Sequence, residues 1–195
     1  MHPALAIIVL WGGFVLSWIL AAAWRSPAEK SVGWRSEIGY RLVLILGGIL
    51  LFIPARHYDG PLRLWYPNWT AAWASVGLMA LGFAFAWWAR LHLGALWSGQ
   101  ITKKADHRVV DSGPYGIVRH PIYTGILLAV YATIWAKGTI LAIAAGLVIT
   151  LGLWMKARLE EGWLREQLGP EAYDAYRRRV PMLMPFGPKA SAAPQ

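Results

Sequence analysis

The chain has 195 residues, 57% of them hydrophobic and only 15% charged, with a mean hydropathy of +0.41. That length suits one domain, and the apolar residues gather into blocks instead of the spacing of a soluble core, so the chain reads as an integral membrane protein. It has no cysteine, which excludes disulfides, thiolate metal sites and cysteine nucleophiles, and its net charge of +9 reads as a face for anionic membrane lipids, not as a nucleic-acid footprint.

The first apolar run, residues 4–24, lacks a basic leader and is long enough to span, so it is expected to be a retained helix. "RSPAEK" ends it. The second run, residues 38–55, carries Arg41 near its start, where a long side chain can snorkel. The third covers residues 70–91. A polar linker with little helical periodicity follows over 92–120. Residues 122–136 and 139–155 are separated only by "KG" and must form a tight antiparallel hairpin; 122–136 is short for a span. The last helix continues outward as "KARLEEGWLREQLG", is broken at Gly169-Pro170, and is followed by a short helix, "EAYDAYRRRV". Residues 187–195 read as a loose tail.

The fold expected is an all-α integral membrane protein of about five transmembrane helices, with a C-terminal helical hairpin. It forms one domain over 1–195, with three helices in 1–91 and the functional segments in 92–186. Five spans place fifteen of the nineteen Lys and Arg on one side and leave Arg56, Arg63 and Lys137 on the other. Because Lys and Arg concentrate in cytoplasmic loops, the N-terminus is expected outside and the C-terminus in the cytoplasm, in a plasma (inner) membrane.

Chemistry-bearing residues fall in two stretches. In "GPYGIVRHPIYTG", residues 113–125, Pro121 suits a first helical turn and His120 alone reads as an interfacial polar residue. Gly113-Pro114 and Gly116 add a constrained turn that can bring backbone N–H groups to a ligand. In "EEGW", residues 160–163, two carboxylates follow the membrane exit of a long helix. Lys156 lies four residues before Glu160 and Arg158 three before Glu161, so helix-surface ion pairs are one reading and a cofactor-binding carboxylate the other. The linker is either a solvated loop or a functional one, as long structureless loops often are. The spacing of His92, His107 and His120 matches no metal motif, and no metal site is expected. "RRR" at 177–179 reads as a patch for anionic headgroups. No phosphate loop, serine elbow or G-x-G-x-x-G loop occurs, which excludes a soluble Rossmann enzyme.

Taken together, "WSGQITKKADHRVVDSGPYGIVRHPIYTG", the apolar hairpin, and "EEGWLREQLGPEAYDAYRRRVPMLMPF" resemble the isoprenylcysteine carboxyl methyltransferase family of integral membrane enzymes. Wider relatives include the phospholipid N-methyltransferases. The resemblance covers about residues 90–186, and two separated motifs in order around a hairpin carry it. It implies S-adenosylmethionine as methyl donor, bound by cytoplasmic segments that comprise the linker and the C-terminal helices. By position, the cofactor contacts implied are Gln100, His107, Arg108, Val109, Val110, Tyr115, His120, Pro121, Ile122 and Tyr123, with Glu160 and its neighbour Glu161. Glu160 and His120 are expected at the wet edge of the bilayer. Where the family has a substrate-binding arginine one turn before the glutamate, this chain has Lys156, with Arg158 two residues later. A catalytic role is therefore expected for Lys156, Arg158 and Glu160. The implied acceptor is lipidic, isoprenoid-like or small and apolar. A carboxylate acceptor is already anionic, so no general base need stand out. The alternatives are N-methylation of an aminophospholipid, with Glu160 or Glu161 as base, and a non-catalytic lipid-binding protein.

Overall fold

A computed structural model describes residues 2–22, 30–31, 33–54, 61–97, 102–103 and 109–190. Among these residues seven α-helices carry the fold: α1 (Pro3–Ala21), α2 (Trp34–Phe52), α3 (Trp69–Leu93), α4 (Pro114–Ile117), α5 (Pro121–Lys137), α6 (Ile140–Leu168) and α7 (Pro170–Arg179). A two-residue antiparallel pair, β1 (Lys30–Ser31) with β2 (Thr102–Lys103), is the only strand pairing among the described residues. The linker is less irregular than its sequence suggests. α3 runs into it as far as Leu93, a 3-10 turn (Gly94–Leu96) follows, and α4 lies near its end.

Local chemistry sets the ends. Asn68 accepts from the Ala71 amide at the start of α3, and Thr139 from the Ala142 amide at the start of α6. Pro occupies the first turn of α1, α4, α5 and α7, where its missing N–H costs no helical bond. Gly138 closes the α5–α6 hairpin in the left-handed region (φ 62°). A Cβ there would meet the Trp65 carbonyl oxygen at 2.0 Å, so both dihedral and space demand glycine.

Packing fixes the direction of each helix. Gly82 and Gly125 face each other, and a Cβ on Gly125 would lie 2.4 Å from the Gly82 carbonyl and 2.8 Å from the Ala86 nitrogen. A Cβ on Gly82 would lie 3.1 Å from the Ala129 nitrogen, so α3 and α5 run antiparallel in backbone contact. The α2–α6 pair is antiparallel too: Gly39 reaches Met155, Gly47 meets Val148 and Ile149, and Gly152 meets Val43 and Leu44. Across the hairpin the Tyr131 hydroxyl bonds Thr150. Phe14 stacks on Phe83 and Trp11 meets it edge-on, while Trp18 meets Trp87 and Trp97, which sets α1 parallel to α3. The five long helices thus alternate in direction along the chain. Lipid offers apolar side chains no gain from association, so small residues that let backbones approach are the natural glue.

The protein is an integral membrane protein. α1, α3 and α6 are long and apolar enough to cross a bilayer by length and composition. α2 and α5 lie alongside α6 and α3, with outward faces that expose Leu42, Ile45, Ile49, Leu128 and Trp135. α6 has 29 residues, about 43 Å at 1.5 Å per residue, so its polar end stands clear of a hydrocarbon layer of about 30 Å.

The close α3–α5 approach generates a test. Gly125→Val should lower stability by about 1–3 kcal/mol, because overpacking against backbone cannot be relieved by a side-chain shift. Gly77→Ala, which enters open space, should change little. Thermal unfolding followed by tryptophan fluorescence in detergent measures both.

Candidate functional site

At the end of the bundle where α3 and α6 leave the membrane, four elements meet: the turn before α5, the polar end of α6, α7, and the irregular segment after α7. The Arg119 amide donates to the Pro181 carbonyl (2.8 Å) and the His120 amide to that of Met182 (3.1 Å), so residues 118–120 are clamped against the chain leaving α7. Thr124 donates to the Leu183 carbonyl. The Tyr176 hydroxyl donates to the Tyr115 carbonyl (2.8 Å), which ties α7 to α4.

The centre is Glu161. It is 3% exposed, and its Oε1 accepts from Arg119 Nε (2.7 Å) and lies 3.1 Å from His120 Nε2. Arg177 Nε stands 3.3 Å from the other oxygen as an ion pair. Arg119 also donates to the Arg177 and Val180 carbonyls at the end of α7. These partners come from the turn before α5 and from α7, not from α6 itself, so the pairing is tertiary. Glu161 lies past the apolar stretch of α6, which ends at Met155. Burial pushes its carboxyl up, but the bonds from His120 and Arg119 outweigh this and hold it down, to about 2. Burial also pushes the Tyr115, Tyr173 and Tyr176 hydroxyls up, so all three stay protonated donors.

Glu160 is different. Its side chain is 30% exposed; Oε2 accepts from the Tyr123 hydroxyl (2.6 Å) and lies 3.8 Å from His120 Nδ1. The rings of His120 and Tyr123 are parallel, 5.2 Å apart. His120 therefore spans the two carboxylates, one ring nitrogen toward each. It is buried, contrary to the wet edge expected of it, because the segment 181–183 covers it.

The other expected residues divide clearly. Pro121 and Ile122 are buried under the site, Ile122 in a cluster with Ala89, Trp97 and Tyr115. Val110 packs on that cluster and Val109 on Tyr173, Tyr176 and Val180. Gln100, His107 and Arg108 lie outside the described residues. Of the two candidate cations, Lys156 faces inward, its Nζ 5.3 Å from the Tyr123 ring centre and 5.6 Å from that of Tyr40. Arg158 is exposed and lies over Trp154. Within "RRR", Arg177 turns in to Glu161 and Asp174, Arg179 pairs with Asp111 (2.7 Å), and Arg178 is exposed. The sequence reading missed the roles of Arg119 and Arg177. An arginine abutting His-Pro at a membrane boundary was the available signal for the first.

Residues 75–165 match the model of the "Isoprenylcysteine carboxyl methyltransferase (ICMT) family". Over these residues, just under half of the chain, it is similar to that family. Protein-S-isoprenylcysteine O-methyltransferase of Schizosaccharomyces pombe is 31% identical over 59% of this chain and 50% of its own length. The resistance protein CzcN of Cupriavidus metallidurans is 32% identical over 62% of this chain and 55% of its own. Methanethiol S-methyltransferase 2 of Bradyrhizobium diazoefficiens is 32% identical over 73% of this chain and 58% of its own. The chain spans about half the length of the curated relatives it matches. In fold it is similar to a solved eukaryotic intramembrane Ras methyltransferase ICMT, at TM-score 0.53 and 21% identity over 76% of this chain and 52% of that one. The family stretch runs from within α3 to the polar end of α6, and so contains Arg119, His120 and both carboxylates.

The Glu161 ion cluster generates a pH test. A carboxylate depressed in the folded state contributes stability above its unfolded pKa, about 4.3, and loses it as pH falls toward the folded value. Glu161→Gln should therefore cost on the order of 3 kcal/mol at pH 7. The gap between wild type and variant should close between about pH 5 and pH 2. Thermal unfolding in detergent across that range measures it; a gap that does not change with pH would show that the charge is not what holds the cluster.

Proposed function

We propose that this chain is an S-adenosylmethionine-dependent membrane methyltransferase that acts on a lipidic or small apolar acceptor at the cytoplasmic face. One observation carries this reading. The two motifs, forty residues apart in sequence, converge so that Glu161 is consumed by the scaffold while the side chain of the adjacent Glu160 stays 30% exposed. Among the described residues only Oε2 of Glu160 is engaged.

The groups present suit the donor molecule. S-adenosylmethionine carries a sulfonium and an ammonium, ribose hydroxyls and an adenine, but no phosphate, so a carboxylate and aromatic faces serve it better than a phosphate loop. Glu160 supplies the carboxylate and Tyr115 and Tyr123 the aromatic faces. Trp163, one turn after Glu160 on α6, has a buried indole N–H with no hydrogen-bond partner among the described residues, a donor suited to an acceptor atom of a ligand. The proposed contacts remain those expected from the sequence, with Glu161 holding its neighbours in place and Glu160 facing the ligand.

When bound, the donor supplies an electrophilic methyl group on sulfur. The chain's own task is to align two reactants and exclude water. Tyr123 and His120 hold the Glu160 carboxylate toward the cationic donor. Lys156, beside Tyr123, presents a positive charge to an anionic acceptor and would repel a sulfonium, so it belongs on the acceptor side. A carboxylate acceptor needs no proton removed. A thiol acceptor is the second reading, favoured by the 73% of the chain that aligns with a methanethiol S-methyltransferase; there Lys156 would favour the thiolate form. Both relatives with named acceptors methylate oxygen or sulfur.

Topology follows the same logic. We infer five spans with the N-terminus outside, because the alternating helix directions then bring α4, α7 and most of the Lys and Arg to the cytoplasmic face. Reporter fusions after Asp59 and at Gln195 should report outside and inside respectively.

Activity is tested with membranes, radiolabelled S-adenosylmethionine and separation into protein, lipid and volatile products. Label is expected in the lipid or volatile fraction, and its absence from all three would refute the reading. Calorimetry in lipid nanodiscs should show S-adenosylhomocysteine binding that Glu160→Gln weakens about tenfold or more, as loss of a charged hydrogen-bond partner predicts, without altering thermal stability. An unfolded Glu160→Gln variant would instead place Glu160 in the scaffold with Glu161.

A further inference from the structure

α2 lies outside the family-matched stretch, yet it brings three polar side chains to the site. Gly39 contacts Met155, so the first two turns of α2 lie against residues 154–158 of α6. Glu37 is 2% exposed although it stands at the edge of an apolar helix, and Arg41, one turn later, donates Nε to its Oε2 (3.1 Å) and pairs with the same oxygen through one terminal nitrogen. Arg41 is not consumed by this pair. Its side chain is 44% exposed, and a guanidinium has five donors, of which two are used here on one carboxylate oxygen. Tyr40, buried between them, has Arg41 at 5.9 Å and Lys156 at 5.6 Å from its ring centre. Lys156 in turn lies 5.3 Å from the Tyr123 ring, whose hydroxyl holds Glu160. Two cations from different helices thus share one aromatic side chain, next to the carboxylate assigned to the donor. Only one of the two can grip a planar anion with two parallel bonds.

We propose that Arg41, together with Lys156, binds the anionic headgroup of the acceptor, with Glu37 as the positioning residue that fixes the guanidinium. The fork selects a lipid-soluble molecule ending in a planar two-oxygen anion, a carboxylate, over one ending in a thiolate. Its head lies at the start of α2, and its tail lies along the apolar flank of α2, where Leu42, Ile45 and Ile49 are exposed. Burial explains why Glu37 is there: an arginine alone at the edge of an apolar helix would swing to the headgroup layer, whereas a carboxylate one turn earlier holds it against the helix pair. The inference rests on the methyltransferase reading only for the word acceptor; binding of the anion can be measured without donor.

The test uses the full chain in nanodiscs of zwitterionic lipid, with a long-chain S-alkyl mercaptoacetate as probe and its uncharged methyl ester as control, followed by tryptophan fluorescence. Wild type should bind the carboxylate more tightly than the ester. Arg41→Gln should weaken carboxylate binding about tenfold or more and leave ester binding unchanged, as loss of a charge-assisted bond implies. S-adenosylhomocysteine affinity should stay as in wild type. Arg41→Lys should fall between them, because it keeps the charge and loses the fork. Should Arg41→Gln fail to fold because the buried Glu37 charge loses its Arg41 partner, the double variant Glu37→Gln, Arg41→Gln removes that charge and must show the same selective loss. Equal weakening of acid and ester, or no weakening, overturns the proposal. Repeating the titration with phosphatidylglycerol in the nanodisc separates the sources of the anion. Unchanged probe affinity supports an acceptor site, and competition in proportion to phosphatidylglycerol overturns it in favour of a bilayer-lipid site. Probe binding that depends on Arg41 in a protein that binds no S-adenosylhomocysteine would leave this inference standing and sink the methyltransferase reading.

Discussion

The buried carboxylate of Glu161 is the interaction on which the cytoplasmic end of this molecule depends. Two arginines and a histidine converge on it from the turn before α5 and from α7. Taking a carboxylate out of water is costly, and only several well-placed donors offset it. Once they do, the geometry is no longer negotiable: loss of any partner leaves an uncompensated buried charge. α7 is only ten residues, mostly charged and tyrosine, and its apolar contact is the small cluster of Tyr173, Tyr176 and Val180 against Leu164 and Leu168. Its position is set by Arg177 on Glu161, by its terminal carbonyls on Arg119, and by Tyr176 on α4. Electrostatics thus joins apolar burial in placing this helix.

Inside the membrane the controlling physics changes. Gly82, Gly125, Gly47 and Gly152 sit where helices cross, and each would collide with its neighbour if it carried a side chain. Lipid tails are as apolar as leucine, so dispersion between closely approaching backbones, not exclusion of water, holds α3 on α5 and α2 on α6. Close approach also has a positional consequence. It fixes how far along α6 the polar end begins, and through α3 it fixes where the linker starts. Rigid helix pairs below and an ion cluster above therefore clamp the turn 118–120 from both sides.

Much of this was legible in the sequence, and the reasons are local. Runs of apolar residues, the Gly138 hairpin, the Gly169-Pro170 break and Pro121 at a first turn are each dictated by one or a few neighbouring residues. The meeting of "RHPIY" with "EEGW" was legible only through the family resemblance, because no spacing rule links residues forty positions apart. The division between the two glutamates was not legible at all. Adjacent helical residues differ by about 100° in direction, and which one faces inward depends on how α5 and α7 pack. His120 was misjudged for the same reason: its cover, residues 181–183, arrives from sixty residues downstream. Arg41 read as a snorkelling side chain, since nothing in its neighbourhood announces that Met155 and Lys156 lie opposite.

The adjacency of Glu160 and Glu161 then has a physical sense beyond duplication. A ligand-facing carboxylate on a free helix end would follow the fraying and bending of that end. With Glu161 locked to Arg119, Arg177 and His120, the same peptide unit that carries Glu160 is locked too, and its side chain has few ways left to point. His120 couples the pair, one nitrogen toward each carboxylate, so the scaffold charge and the ligand-facing charge share one ring. Tyr123, stacked on that ring, completes the constraint from the first turn of α5. A site that must hold a cation beside an apolar molecule needs an anion whose position is fixed before either arrives, and fixing it largely through its neighbour leaves the Glu160 carboxylate partly exposed.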